Sequence, residues 1–182
     1  MPKSRSFRNT AAALACAVLG SLAFSAGPAL AAGECEAASA TVAQVPRAKL
    51  VRSTLCLLNQ ERAQRGLGKL RLNRRLNRAA RRHSRDMVER RYFAHGPFVN
   101  RIRRVGYLSG AASWSVGENI AWGGAHLGSP RLIVRAWMNS AGHRHNILGR
   151  WRHIGIGIKA GAPVGGQGQA ATYTTDFGRK AG

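Results

Sequence analysis

The chain has 182 residues, three cysteines, and 29 lysines and arginines against 7 aspartates and glutamates, for a net charge of +22. That length makes one ordinary domain with enough chain to bury a real core, and the charge favours polyanionic partners. No CxxC or CxxCH run occurs, which excludes cysteine-ligated zinc fingers and covalently attached haem.

Residues 1–31 read as a secretory signal peptide. Lys3, Arg5 and Arg8 precede an apolar stretch from Ala11 to Phe24, and Ala29-Leu30-Ala31 offers an A-x-A cleavage site. The apolar run is too short and too interrupted by Gly and Ser to make a membrane span, and no later segment approaches the roughly 20 apolar residues a span needs. The mature chain is expected to start near Ala32, to be secreted and extracellular, and to carry 26 basic and 7 acidic residues, or +19. Export shifts the expected polyanion away from nucleic acid and towards an envelope polymer or anionic lipid. Strong like charge favours a monomer.

Residues 32–46 read as a tail that only Cys35 anchors. Cys35 and Cys56 are the two cysteines left after cleavage. They either form a disulfide or stay as a free thiol and a buried one; the bridge is favoured because an exposed thiol is a liability in an oxidising compartment. From Pro46 a helix carries Leu50, Leu55 and Leu58 on its apolar side and closes at Gly66. Leu67 to Leu72 is a connector. Asn73 is an N-cap for a second helix with Leu76, Ala79, Ala80, His83 and Met87 on one face and Arg74, Arg75, Arg78, Arg81, Arg82 and Arg85 on the others. Between Arg62 and Arg104 there are 15 Arg or Lys and only Asp86 and Glu89 against them. That density is either a dedicated polyanion site or a solvated basic face.

A helical turn from Val99 to Val105 is stopped by Gly106, and residues 107–128 read as a Gly- and Trp-rich loop with a short extended piece. Ser129-Pro130 starts a helix that stops at Ala141-Gly142. Strict alternation over His153-Ile154-Gly155-Ile156-Gly157-Ile158 predicts a strand whose glycines admit a close neighbour. Ala170 to Phe177 reads as its antiparallel partner. Helices first and strands last give an α+β class.

Three separated segments each contribute one residue suited to metal ligation or proton transfer: His95, Glu118 and His143. The chain around them, from about Thr54 to Gly178, resembles the bacterial branch of the CAP superfamily, the cysteine-rich secretory, antigen 5 and pathogenesis-related-1 (SCP) domain. The resemblance is carried by Leu58-Asn59-Gln60-Glu61-Arg62, His83-Ser84-Arg85-Asp86-Met87, Tyr92-Phe93-Ala94-His95, Gly117-Glu118-Asn119-Ile120, Trp137 to Arg144 with Asn146-Ile147-Leu148, and Ile154-Gly155-Ile156-Gly157.

That resemblance implies a three-layer α-β-α sandwich with a central antiparallel sheet over residues 47–180, and a cleft that in many members holds two histidines and two glutamates around a divalent cation. His95 and His143 match the cleft histidines and Glu118 the glutamate of the Gly-Glu-Asn motif. Ser140 stands where many eukaryotic members have the second glutamate, and Gly96-Pro97-Phe98 replaces a longer polar loop after His95. Two imidazoles and one carboxylate make a workable set for zinc or another divalent cation with an open position, and Glu118 is the candidate general base if the site is catalytic. The leading expectation is a binding module rather than an enzyme: a metal-binding His/Glu cleft plus a basic surface for an anionic ligand. A metal-dependent hydrolase acting on peptide or wall material is the alternative, as is a lipid or sterol carrier. His83 is expected to be a core histidine, Asn59 and Asn119 to bond backbone near the cleft, and Trp114, Trp122, Trp137 and Trp151 to form core and cleft wall.

Overall fold

The computed structural model describes residues 34–165 and 168–182. The predicted signal peptide and its cleavage site lie outside the described residues. In chain order the elements are α1 (Arg47–Ala63), β1 (Arg71–Leu72), α2 (Arg74–Glu89), α3 (Phe98–Arg104), β2 (Ser113–Gly124), a 3-10 turn (Ala125–Gly128), α4 (Pro130–Asn139), α5 (Ala141–Leu148), β3 (His153–Ala160) and β4 (Ala170–Ala181).

The strands form one sheet in the order β1-β3-β4-β2. β4 lies antiparallel to both β2 and β3, while the two-residue β1 runs parallel to β3. The class is α+β, and the sheet is mixed rather than purely antiparallel because the stretch expected as a connector adds one short edge. Period-two alternation assigns β3 two faces. Ile154, Ile156 and Ile158 enter one core with Leu50, Leu58, Ile133, Trp137, Ile147, Tyr173 and Phe177, which come from α1, α4, α5 and β4. On the opposite face Gly155 and Gly157 lie against α2: a Cβ on Gly155 would sit 2.1 Å from the Leu76 carbonyl carbon, and one on Gly157 2.3 Å from that of Ala80. Helix backbone rests on sheet backbone, as the glycines foretold. A second core of Leu76, Ala79, Ile102, Val105, Tyr107 and Leu108 completes that layer.

Local chemistry sets the helix ends. The Asn73 side chain accepts from the N–H groups of Arg75 and Leu76, capping α2 as expected. Gly66 and Gly106 adopt positive φ, 66° and 75°, where the chain leaves α1 and α3.

Three expectations need correcting. The region read as a loop over 107–128 holds the twelve-residue strand β2, paired with β4 along its whole length from Ser113↔Ala181 to Gly124↔Ala170. Its alternation is invisible because Gly117 to Ile120 are all buried in succession. The helix read as ending at Ala141-Gly142 ends at Asn139, and a separate helix restarts after Ser140 takes extended angles of φ −102° and ψ 123°. The N-terminal tail is held by more than Cys35. Ala38 is buried and its carbonyl accepts the Arg131 N–H at 2.8 Å, while Ala40, Val42 and Val45 pack on the main core.

Cys35 and Cys56 form a disulfide across 21 residues. Arg62 is buried and bridges α1 to the far end of α5, donating to the carbonyls of Gly68 (2.8 Å), Ile147 (2.7 Å) and Gly149 (2.8 Å).

Two outcomes test this packing. Gly157→Ala is expected to cost about 3 kcal/mol, because neither backbone can retreat from the added methyl; a loss of unfolding free energy in urea below about 1 kcal/mol would mean that α2 is free to lift. Cys35→Ser/Cys56→Ser is expected to lose about 3 kcal/mol through the freed loop, read from the same denaturation curves.

Candidate functional site

β2 supplies the acid. Glu118 occupies its buried centre, with a side chain 1% exposed, and stands opposite Asp176 of β4 in the sheet register. The segment between α2 and α3 supplies the first histidine. Arg91 and Gly96 turn it through positive φ (54° and 55°), and His95 Nδ1 meets Glu118 Oε1 at 2.8 Å. Because Gly96 and Pro97 pass directly into α3, that helix starts close by and its fourth residue, Arg101, reaches the same carboxylate. Arg101 Nη2 donates to Glu118 Oε2, and Nη1 donates to the His95 carbonyl at 2.7 Å. One guanidinium thus fixes both the acid and the backbone that carries the histidine.

α5 supplies the second histidine. His143 Nδ1 shares a hydrogen bond with Ser140 Oγ at 2.9 Å. The helix is tied to β2 by amides: Asn119 Nδ2 donates to the His143 carbonyl at 3.0 Å, and Asn146 Nδ2 donates to the Glu118 carbonyl at 3.0 Å and to Asn119 Oδ1 at 2.9 Å. Burial, and then the nearby His95, lower the His143 pKa, so its imidazole is held neutral.

Beneath the pair lies Asp176. It is fully buried, and among the described residues no group stands at hydrogen-bond geometry to either side-chain oxygen. Burial first and the Glu118 charge second push its pKa well above the usual carboxylate value, with Arg101 acting the other way. Of the pair, Asp176 is therefore the one that gives up its charge, while His95 Nδ1 and Arg101 Nη2 both face Glu118. His83 is a core histidine, as expected: it is 1% exposed, its Nε2 bonds the Ala94 carbonyl at 3.1 Å, and burial lowers its pKa.

The structure thus gathers His95, Glu118 and His143 beside the edge strand β2. Among the described residues, however, no three of His, Cys, Asp and Glu are placed to hold a metal ion. Both Glu118 oxygens are already taken, one by an imidazole and one by a guanidinium, and the Ser140 hydroxyl offers no negative charge. A divalent cation does not fit this donor set as it stands. Asn59 bonds backbone, at Leu70, away from this site. Trp137 is buried with its indole N–H on the Ile120 carbonyl, whereas Trp114 and Trp122 are exposed.

Sequence reading assigned no site role to Arg101, Asp176 or Asn146. Arg101 was one cation among 15, and only its place six residues after His95 distinguished it. Asp176, one of the chain's seven acidic residues, lay in an otherwise apolar and threonine-rich strand, and that isolation was the available signal.

A second feature lies on the outer side of α2. Arg47, Arg74, Arg78, Arg81, Arg82, Arg85 and Lys159 line a groove of about 660 Å³ in which no acidic residue takes part. Glu89 pairs with Arg85 (3.8 Å) and Lys159 (3.2 Å) at one end. Among the described residues no ion pair engages Arg47, Arg74, Arg78, Arg81 or Arg82.

The family model of the cysteine-rich secretory protein (CAP) family matches residues 55–174. The uncharacterized protein YkwD of Bacillus subtilis (strain 168) is 40% identical over 103 residues, which is 56% of this chain and 39% of that protein. The chain therefore matches about two-fifths of that relative's length. An extracellular protein containing an SCP domain from Bacillus anthracis superposes with a TM-score of 0.54 at 26% identity, covering 73% of this chain and 43% of the other. An outer surface protein of Borrelia burgdorferi shares the fold at TM-score 0.61 and 17% identity, covering 75% and 97%.

The raised pKa of Asp176 sets the sign of a pH effect. Its carboxyl takes up a proton on folding, so its contribution is intact below the unfolded value near 3.8 and is lost as pH rises through the folded value. Wild type is expected to lose stability relative to Asp176→Asn between pH 4 and neutrality, with the amide variant the more stable at pH 7. Parallel urea midpoints across that range would refute the shared-charge arrangement.

Proposed function

The chain belongs to the cysteine-rich secretory protein (CAP) family, and from that premise we propose that it is an extracellular binding module whose arginine groove grips a linear polyanion of the cell envelope. The single observation that carries this reading is the row of five guanidinium groups, on Arg47, Arg74, Arg78, Arg81 and Arg82, left without acidic partners along one concave face. Surface arginines are ordinarily balanced by neighbouring acids. Here the balancing charge has to come from outside the chain.

Several facts support the choice of partner. Guanidinium forks match phosphate geometry in a bidentate manner, and a groove suits a single polymer strand better than a flat bilayer. The extracellular SCP-domain neighbour supports an envelope setting, as does the disulfide, which persists only in an oxidising compartment. No helix among the described residues is long and apolar enough to cross a membrane. Turnover has less support than binding. Glu118, the candidate base, is buried and already engaged by His95 and Arg101.

The test uses poly(glycerol phosphate) as the probe. Wild type is expected to bind it with an affinity that falls steeply with salt, each phosphate contact adding roughly 0.7 to the log–log slope by analogy with single-stranded nucleic acid. Arg74→Gln/Arg78→Gln/Arg81→Gln is expected to bind at least about tenfold more weakly at 0.1 M salt, with a slope smaller by about 2. Equal binding by the two proteins would sink the reading.

A further inference from the structure

The His/Glu site has a cation of its own. We propose that Arg101 is the resident cation of this site, taking the position on Glu118 that a divalent metal would need and making the site metal-independent. The geometry is specific. The carboxylate is 1% exposed and has two oxygens; one meets His95 Nδ1 at 2.8 Å and the other meets Arg101 Nη2. The guanidinium is not a loose surface group that a metal would displace at little cost. It is 16% exposed, its Nη1 is committed to the His95 carbonyl at 2.7 Å, and its Nε is buried.

Freeing Glu118 for a metal would leave that guanidinium enclosed without a counter-charge, which is the costly way to break a buried pair. It would also place a dication beside a fixed monocation with one carboxylate to serve both. Ser140 makes the balance worse, because its hydroxyl engages His143 Nδ1 at 2.9 Å without adding negative charge. The remaining role of His95 and His143 is to present uncoordinated imidazoles at the mouth of a site whose charge is already balanced. Arg101 acts here by positioning Glu118 and the His95 backbone, and no reaction is assigned to it.

The experiment is a zinc titration by calorimetry on the disulfide-bonded protein, with wild type, His95→Ala, Arg101→Met, and Arg101→Met/His95→Ala. Wild type is expected to take up no zinc at micromolar concentrations. Arg101→Met is expected to gain at least about tenfold in zinc affinity, and the double variant to lose that gain. One equivalent of zinc bound by wild type and lost in His95→Ala would overturn the proposal. So would wild type and a folded Arg101→Met that are equally indifferent to zinc, since Arg101 would then not be what keeps the metal out. Should Arg101→Met fail to fold, Ser140→Glu carries the test: it adds a carboxylate beside His143 while leaving Arg101 in place, and is expected to remain unresponsive to micromolar zinc. A tight zinc site in that variant would overturn the proposal equally.

Discussion

The contact on which this fold most depends is the one between the backbone of α2 and the two glycines of β3. Gly155 and Gly157 leave no side chain between helix and sheet, and the helix answers with small or flat-lying residues: Ala79, Ala80 and Ser84. Ser84 Oγ lies close enough to donate to the Gly157 carbonyl (3.1 Å) or to Thr174 Oγ1 (2.9 Å), so the approach is also hydrogen-bonded. Everything on α2 is oriented by this. Its apolar face is consumed against the sheet, and Arg74, Arg78, Arg81 and Arg82 are left to line the outer groove.

In the same cross-strand row as Gly155 the controlling quantity is charge in a confined space. β2 and β4 place Glu118 and Asp176 opposite one another, an arrangement that two ionised carboxylates do not tolerate. The conflict is resolved by unequal surroundings. Glu118 receives an imidazole and a guanidinium, and Asp176 receives neither. The short Gly96-Pro97 link is what makes this possible, since a longer insertion would carry α3 and its Arg101 away from His95.

Much of this was legible in the chain. The caps and stops at Asn73, Gly66 and Gly106, the alternation of Ile154, Ile156 and Ile158 against glycines, and the inward place of His83 all follow from local rules. β2 was not legible, because a strand covered along its middle loses its alternation, and its glycines and serines then look like loop. The break at Ser140 escaped for a related reason: Gly142 signals a helix end, while the actual end two residues earlier is an extended serine with no special residue to mark it. In the site, His95, Glu118 and His143 stood out by residue type and motif. Arg101 did not, because charge counted along a sequence cannot separate the one guanidinium that turns inward from the many that turn out.

The outward arginines place a condition on the helix that carries them. Arg74 and Arg78, Arg78 and Arg82, and Arg81 and Arg85 are like charges one turn apart, each pair opposing helix formation by a few tenths of a kcal/mol. The Asn73 cap and tertiary contact with the sheet hold α2 against that repulsion. Whatever supplies negative charge to this face relieves it, and by linkage a ligand bound only to the folded state deepens its stability. The domain is in effect a polyelectrolyte whose folded state strengthens in anion-rich surroundings and weakens in dilute ones.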